Sequence, residues 1–168
     1  MTVPDRYGVL FLCTGNSARS IIAESLLRRW GGERFAAWSA GSDPAGEVRA
    51  PALEMLTKAG LPTDGLRSKS WQEFTGPGAP PIHVVITVCD DAAEHCPVFP
   101  GRPITAHWRT DDPAAIEGDA ETVRRAYRRA YTDLERRIKL LVDLPLASLD
   151  RMAQEQRLRA IGDEEAGA

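Results

Sequence analysis

Cysteine is scarce in this chain: three residues in 168, at positions 13, 89 and 96. A small odd number argues against a fully paired disulfide framework of the secreted kind. In a reducing compartment such thiols are inert, metal-binding or catalytic rather than bridged. Long apolar runs are missing as well. None approaches the roughly 18 residues that a membrane span needs, and Val9 to Cys13, the longest near the start, is strand-sized. Met1 to Arg6 holds a single basic residue and leads into no long apolar core, so no signal peptide is expected and the chain reads as cytoplasmic. Nor does charge of one sign dominate. The 21 Lys and Arg against 24 Asp and Glu leave a net −3, which gives no global attraction to nucleic acid or to an anionic membrane. Any anion site has to be local. Repeats and low-complexity blocks are absent, and the length suits one domain with a proper core.

What is present is an alternation of strand and helix signals. Tyr7 to Leu12 and Ile82 to Val88 are apolar or β-branched runs bounded by turn formers, and Phe35 to Ala40 and Ile104 to His107 complete a set of strands. Helices are expected over Ser20 to Trp30, with Ile21, Leu26, Leu27 and Trp30 inward, over Val48 to Ala59, and briefly within Ser68 to Gly78. The longest follows Asp119, where Val123, Ala126, Tyr127, Ala130, Tyr131, Leu134, Ile138 and Leu141 share one face. Pro145 ends it. A last helix is expected near Ser148 to Ile161, and Asp163 to Ala168 reads as a frayed acidic tail. The organisation is thus a main unit over 1–145 and a helical extension over 146–168 packed on it. Alternation of this kind implies βαβ units and a parallel sheet covered on both faces, an α/β fold whose ligands bind at the carboxyl ends of the strands.

The first carboxyl end runs into Cys13-Thr14-Gly15-Asn16-Ser17-Ala18-Arg19-Ser20. A cysteine, five residues and an arginine between strand and helix form a loop whose amides can ring one tetrahedral oxyanion. Gly15 and Asn16 are residue types that tolerate left-handed backbone. The following helix offers its positive end to the anion, and Arg19 can add a bidentate contact. The same donors, with the Ser20 hydroxyl, are expected to hold the Cys13 sulfur as the thiolate that attacks. A lone cysteine is more often simply buried; the glycine, the preceding strand and the following helix point to the loop.

VLFLCTGNSARS resembles the low-molecular-weight tyrosine phosphatase superfamily, which includes thiol-dependent arsenate reductases. The resemblance runs from Tyr7 to about Leu144. It implies a four-stranded parallel sheet flanked by helices, a thiolate at Cys13, an anion loop through Arg19 and a hydroxyl contact from Ser20.

The loop alone does not separate phosphatase from reductase, since both begin with thiolate attack on an oxyanion. A phosphatase then needs an acid and water, whereas a reductase needs further thiols to carry two electrons. Thr87 to Pro97 follows the strongest strand, and in a parallel sheet its start faces the same crevice as Cys13. Inert core cysteines, or a metal site with His95 or His107, are the plainer alternatives. Cys89 and Cys96 stand seven apart and lack the short spacing of zinc knuckles, so no metal site is expected. The segment resembles the redox segment of arsenate reductases. That resemblance assigns Cys89 as the thiol that displaces arsenite and Cys96 as its disulfide partner. A helix over 89–96 would hold the two Cα atoms ~10 Å apart, beyond the about 7 Å a disulfide spans, so oxidation is expected to unwind the segment.

Asp111-Asp112-Pro113 matches the family's Asp-Pro pair and gives Asp112 the role of proton donor; taken alone the pair would read as a turn. Ala114 and Ala115 follow, where tyrosine phosphatases commonly carry aromatics, which disfavours a phosphotyrosine substrate. Ala18 replaces a second loop cysteine found in many relatives, so electrons must go to a more distant thiol. Asn16, Glu24 and Ser39 match positions that bind potassium in some arsenate reductases. Lys69 falls near an acidic ligand of those proteins, which argues against that ion here. The expected function is arsenate reduction with no bound cofactor and an external reductant, thioredoxin or glutathione with glutaredoxin. Phosphate and sulfate are the expected competing oxyanions. A phosphatase of phosphate esters is the alternative, and a non-catalytic oxyanion sensor, which leaves Cys89 and Cys96 without a role, the third.

Overall fold

The computed structural model describes residues 3–164. Four strands, β1 (Tyr7–Cys13), β2 (Phe35–Gly41), β3 (Val84–Thr87) and β4 (Ile104–His107), alternate with helices α1 (Arg19–Gly31), α2 (Ala50–Lys58), α3 (Asp90–Glu94), α4 (Ala120–Asp143) and α5 (Arg151–Asp163). The sheet order is β2-β1-β3-β4 and every neighbouring pair is parallel. Successive strand residues point to opposite faces. Val9 to Leu12 and Val84 to Ile86 are all buried, so both faces of the inner strands are covered. That is why these strands read as continuous apolar runs rather than alternating ones.

The expected elements form, with instructive differences. The ladder of β3 extends one residue past each end of the strand, through His83 N–H to Gly8 O and Val88 N–H to Leu12 O. Ile82, expected within it, lies outside. The helix expected within Ser68–Gly78 shrinks to a 3-10 turn over Trp71–Phe74. Backbone groups just before it are already committed: Lys69 O accepts from Gly41 N–H, and Lys69 N–H donates to Asn16 Oδ1. Trp30, expected inward, is 39% exposed. It lies at the outer end of α1, with Lys139 Nζ 4.5 Å from its ring centroid and its Nε1–H on Glu135.

The extension packs on the outer strand. Leu146–Ser148 form a 3-10 turn, and α5 begins later than expected, at Arg151 under an Asp150 cap. Leu158 and Ile161 are buried, and Leu158 O accepts the indole N–H of the fully buried Trp108 at 3.0 Å. Gly162 lets α5 lie directly on β4, because a Cβ there would strike the His107 carbonyl oxygen. Of the expected acidic tail, Asp163 ends α5 and 165–168 lie outside the described residues. No helix among the described residues is long and apolar enough to cross a membrane.

Candidate functional site

The loop after β1 is shaped from outside. Carbonyls of Cys13, Thr14, Gly15 and Ser17 accept N–H groups of Ser42, Asp43, Ala45 and Arg49 at 2.9–3.2 Å. In a planar trans peptide the N–H points opposite the C=O. The amides of Thr14, Gly15, Asn16 and Ala18 therefore turn to the loop's interior. Gly41 allows the close approach, since a Cβ there would collide with Thr14 O. Asn16 takes the left-handed backbone expected of the loop, at φ 46°. Gly15 is not among the positive-φ residues; the single reversal at Asn16 suffices, and Gly15 keeps the lining free of a side chain.

α1 has Ala18 at its N-cap, with no side-chain cap and no acidic residue in its first turn. By contrast, α4 and α5 begin under the carboxylates of Asp119 and Asp150. The orphan N–H groups of α1 thus add to the positive interior of the loop.

Cys13 Sγ accepts from Asn16 N–H at 3.1 Å and lies 2.8 Å from Ser20 Oγ. Asn16 Nδ2 donates to that hydroxyl at 2.8 Å, which leaves the Ser20 proton free for the sulfur. The net effect on Cys13 nevertheless runs against expectation. Burial pushes the thiol above its ordinary value, and the Ser20 hydroxyl, the Arg19 charge and the amides of Ser20 and Asn16 offset this only in part. Attack then accelerates as pH rises toward the raised pKa, because only the thiolate reacts. Ser20 is the strongest of the opposing influences. Ser20→Ala is accordingly predicted to raise the Cys13 pKa further and slow its iodoacetamide alkylation at neutral pH by about tenfold, the scale of one hydrogen bond to a charged group. Alkylation rates across a pH series check this; an unchanged profile contradicts it.

Arg19 NH1 donates to Thr110 O at 3.0 Å, and NH2 lies 3.6 Å from Asp112 Oδ2. Asp112 Oδ1 caps a 3-10 turn over Pro113–Ala115 by accepting Ala114 N–H. The structure therefore brings Cys13, Arg19, Ser20 and Asp112 together. It brings Cys89 there too. Cys89 Sγ lies 3.4 Å from Thr14 Oγ1, which also donates to Asp91 at 3.2 Å. Cys89 is the N-cap of α3, its sulfur accepting Ala92 N–H at 3.4 Å. Cys96 stands beyond the end of α3, half-buried in a cleft of about 410 Å³ shared with Ala93, His107, Arg159 and Asp163. Burial raises its pKa. All three thiols are free.

The histidines considered as metal ligands have other partners. His95 Nδ1 bonds to Asp91 O, and His107 bonds to Thr87 and Asp90. Behind the loop, the carboxylate of buried Glu24 accepts from Ser39 Oγ at 2.6 Å, pairs with Arg28, and has Lys69 Nζ at 3.8 Å. Burial lowers the Lys69 pKa while Glu24 pulls it back. An ammonium already faces the carboxylate that would have to bind potassium.

Two contributors escaped the sequence. Ser68 Oγ donates to Gly15 O and accepts from Gly46 N–H, and Arg137 is buried under the Arg109–Thr110 backbone. Neither sits in a motif; Arg137 breaks an otherwise apolar helical face, which is the one signal that marked it.

A parallel sheet that ends an inner strand in a Cys-x5-Arg loop, opening onto an uncapped helix, defines a class of proteins built to aim a sulfur at a tetrahedral oxyanion. Within that class the chain belongs to the low-molecular-weight phosphotyrosine protein phosphatase family, whose model matches residues 8–155. An arsenate reductase of Bacillus licheniformis is 34% identical over 134 residues, 78% of this chain and 91% of its own length. Among solved structures, the arsenate reductase of Archaeoglobus fulgidus superposes with a TM-score of 0.65 at 28% identity, covering 81% of this chain and 99% of its own. A thioredoxin-dependent arsenate reductase of Corynebacterium glutamicum gives a TM-score of 0.53 at 26% identity, covering 83% and 65%.

Proposed function

We propose that the protein reduces arsenate to arsenite in the cytoplasm, using an external thiol reductant and no bound cofactor. The observation that carries this is the Cys89 sulfur resting against Thr14 of the loop that encloses Cys13. A phosphatase has no use for a thiol there. The catalytic unit is 1–145, with the extension from 146 packed on it.

Arsenate is held by the loop amides from Thr14 to Ser20 and by Arg19, and phosphate or sulfate competes for the same donors. Cys13 thiolate displaces one oxygen, which leaves with a proton from Asp112, and a sulfur–arsenic bond forms. Cys89 attacks the Cys13 sulfur. The electron pair of the sulfur–arsenic bond passes to arsenic, which departs as arsenite, and a Cys13–Cys89 disulfide remains. Cys96 then attacks Cys89 and frees Cys13. Two thiols have supplied the two electrons. Thioredoxin is the first choice for reducing the Cys89–Cys96 disulfide, in keeping with the thioredoxin dependence of the C. glutamicum relative; glutathione with glutaredoxin is the second.

The helical stretch between the two thiols is only Asp90–Glu94, so little has to unwind for them to meet. Oxidation is predicted to remove amide protection over Asp90 to His95. Hydrogen exchange by mass spectrometry, on reduced and oxidised protein, reads this directly; equal protection in both states contradicts it. The function itself is tested by assaying arsenite formation with thioredoxin or glutaredoxin supplied separately. Dependence on either supports the reading. Hydrolysis of aryl phosphates without reductant, with no arsenite formed, replaces it by the phosphatase alternative.

A further inference from the structure

The face of α4 that packs inward is apolar at Leu134, Ile138 and Leu141, yet Arg137 lies among them and is 6% exposed. A methionine would fill such a position without burying a charge. Among the described residues, no carboxylate forms an ion pair with Arg137. Its NH1 donates to Arg109 O at 2.8 Å and reaches Thr110 Oγ1 at 3.4 Å, while its Nε has no hydrogen-bond partner. A buried charge with an unsatisfied donor is costly, so a position that keeps one is a candidate for a role beyond packing.

Those contacts fix one short stretch. Thr110 O is the acceptor for Arg19 NH1, Thr110 Oγ1 is tied back to Trp108 O, and Asp112 follows two residues later. Arg137 thus holds Thr110 through the preceding peptide and its hydroxyl, and the Thr110 carbonyl decides where the Arg19 guanidinium points. We propose that Arg137 is a positioning residue for oxyanion binding, acting through the Thr110 carbonyl on Arg19. This rests on the reading that Arg19 grips the oxyanion, and extends it to a residue outside the loop and its motifs.

The readout is the phosphate concentration that half-protects Cys13 from iodoacetamide, measured on the full chain with Cys89 and Cys96 changed to serine. It needs no turnover. Arg137→Met is expected to require about tenfold more phosphate, the scale of one charge-assisted contact misplaced. Arg137→Lys, which keeps a donor for the Arg109 carbonyl, should recover most of that loss. In an Arg19→Lys background, Arg137→Met should cost little more than about twofold, since two residues acting as one unit are not additive. Leu141→Ala, elsewhere on the same face, controls for destabilisation and should leave protection near wild type. Arg137→Gln is measured alongside, so that a folding defect in Arg137→Met leaves the question answerable.

Wild-type protection in Arg137→Met and Arg137→Gln overturns the proposal. So does an equal loss in Leu141→Ala, or a full tenfold loss persisting beside Arg19→Lys. An Arg19→Lys protein that binds phosphate like wild type sinks the underlying reading of Arg19 instead, and is distinguishable because it makes no use of Arg137.

Discussion

Cys13→Ser is predicted to abolish arsenite formation, with turnover falling at least about 10⁴-fold, the scale of losing an activated nucleophile. Cys13 is 3% exposed, and its sulfur receives the Asn16 amide and sits beside the Ser20 hydroxyl. A serine hydroxyl could occupy the same place and accept the same hydrogen bonds, so folding and oxyanion binding survive. What is lost is an atom far more acidic and nucleophilic than a hydroxyl, one that attacks as the thiolate and then leaves arsenic with its electron pair behind. Phosphate affinity near wild type, with turnover gone, is the expected combination. Arsenite production at an appreciable rate from this variant removes Cys13 from the chemistry.

Cys89→Ser should stop the reaction one step later. Oxyanion attack by Cys13 still occurs, but no neighbouring thiol takes the Cys13 sulfur, and arsenite release falls to background. Cys96→Ser differs in kind. It is expected to release arsenite once and halt as the Cys13–Cys89 disulfide if thioredoxin is the reductant, whereas a glutathione route should tolerate the loss. Assays of a single turnover and of continued turnover on the two variants separate these outcomes. A Cys89→Ser protein that makes arsenite at full rate leaves its position against Thr14 without a function.

The fold was largely legible because its signals are local and concordant. Val9 to Leu12 is continuously apolar because β1 is covered on both faces, and Asp119 announces the start of α4 as its cap. What failed was set by distant partners. Trp30 lies on the edge of the helical stripe, and only Lys139 and Glu135 of α4 give its ring and N–H an outward place. The expected helix near Trp71 was overridden by backbone contacts to Asn16 and Gly41, more than 20 residues away.

The site divides the same way. Cys13 through Ser20 is a contiguous motif, and the direction of its amides follows from the strand–loop–helix order. The convergence of Cys89 on Thr14 needed only a parallel sheet, which the alternation implied. The balance of forces on the Cys13 sulfur was not legible, because burial depends on the whole core and outweighs the donors that the motif supplies. Ser68 and Arg137 act on backbone carbonyls, which any sequence provides. No residue pattern marks such an acceptor in advance.

The relay is tested most directly by mixing fully reduced protein with arsenate in the absence of any reductant, quenching with an alkylating agent and mapping the thiols by mass spectrometry. The expected products are a single arsenite released per chain, a disulfide joining Cys89 to Cys96, and an alkylated Cys13. Three alkylated cysteines with no arsenite in solution would contradict it.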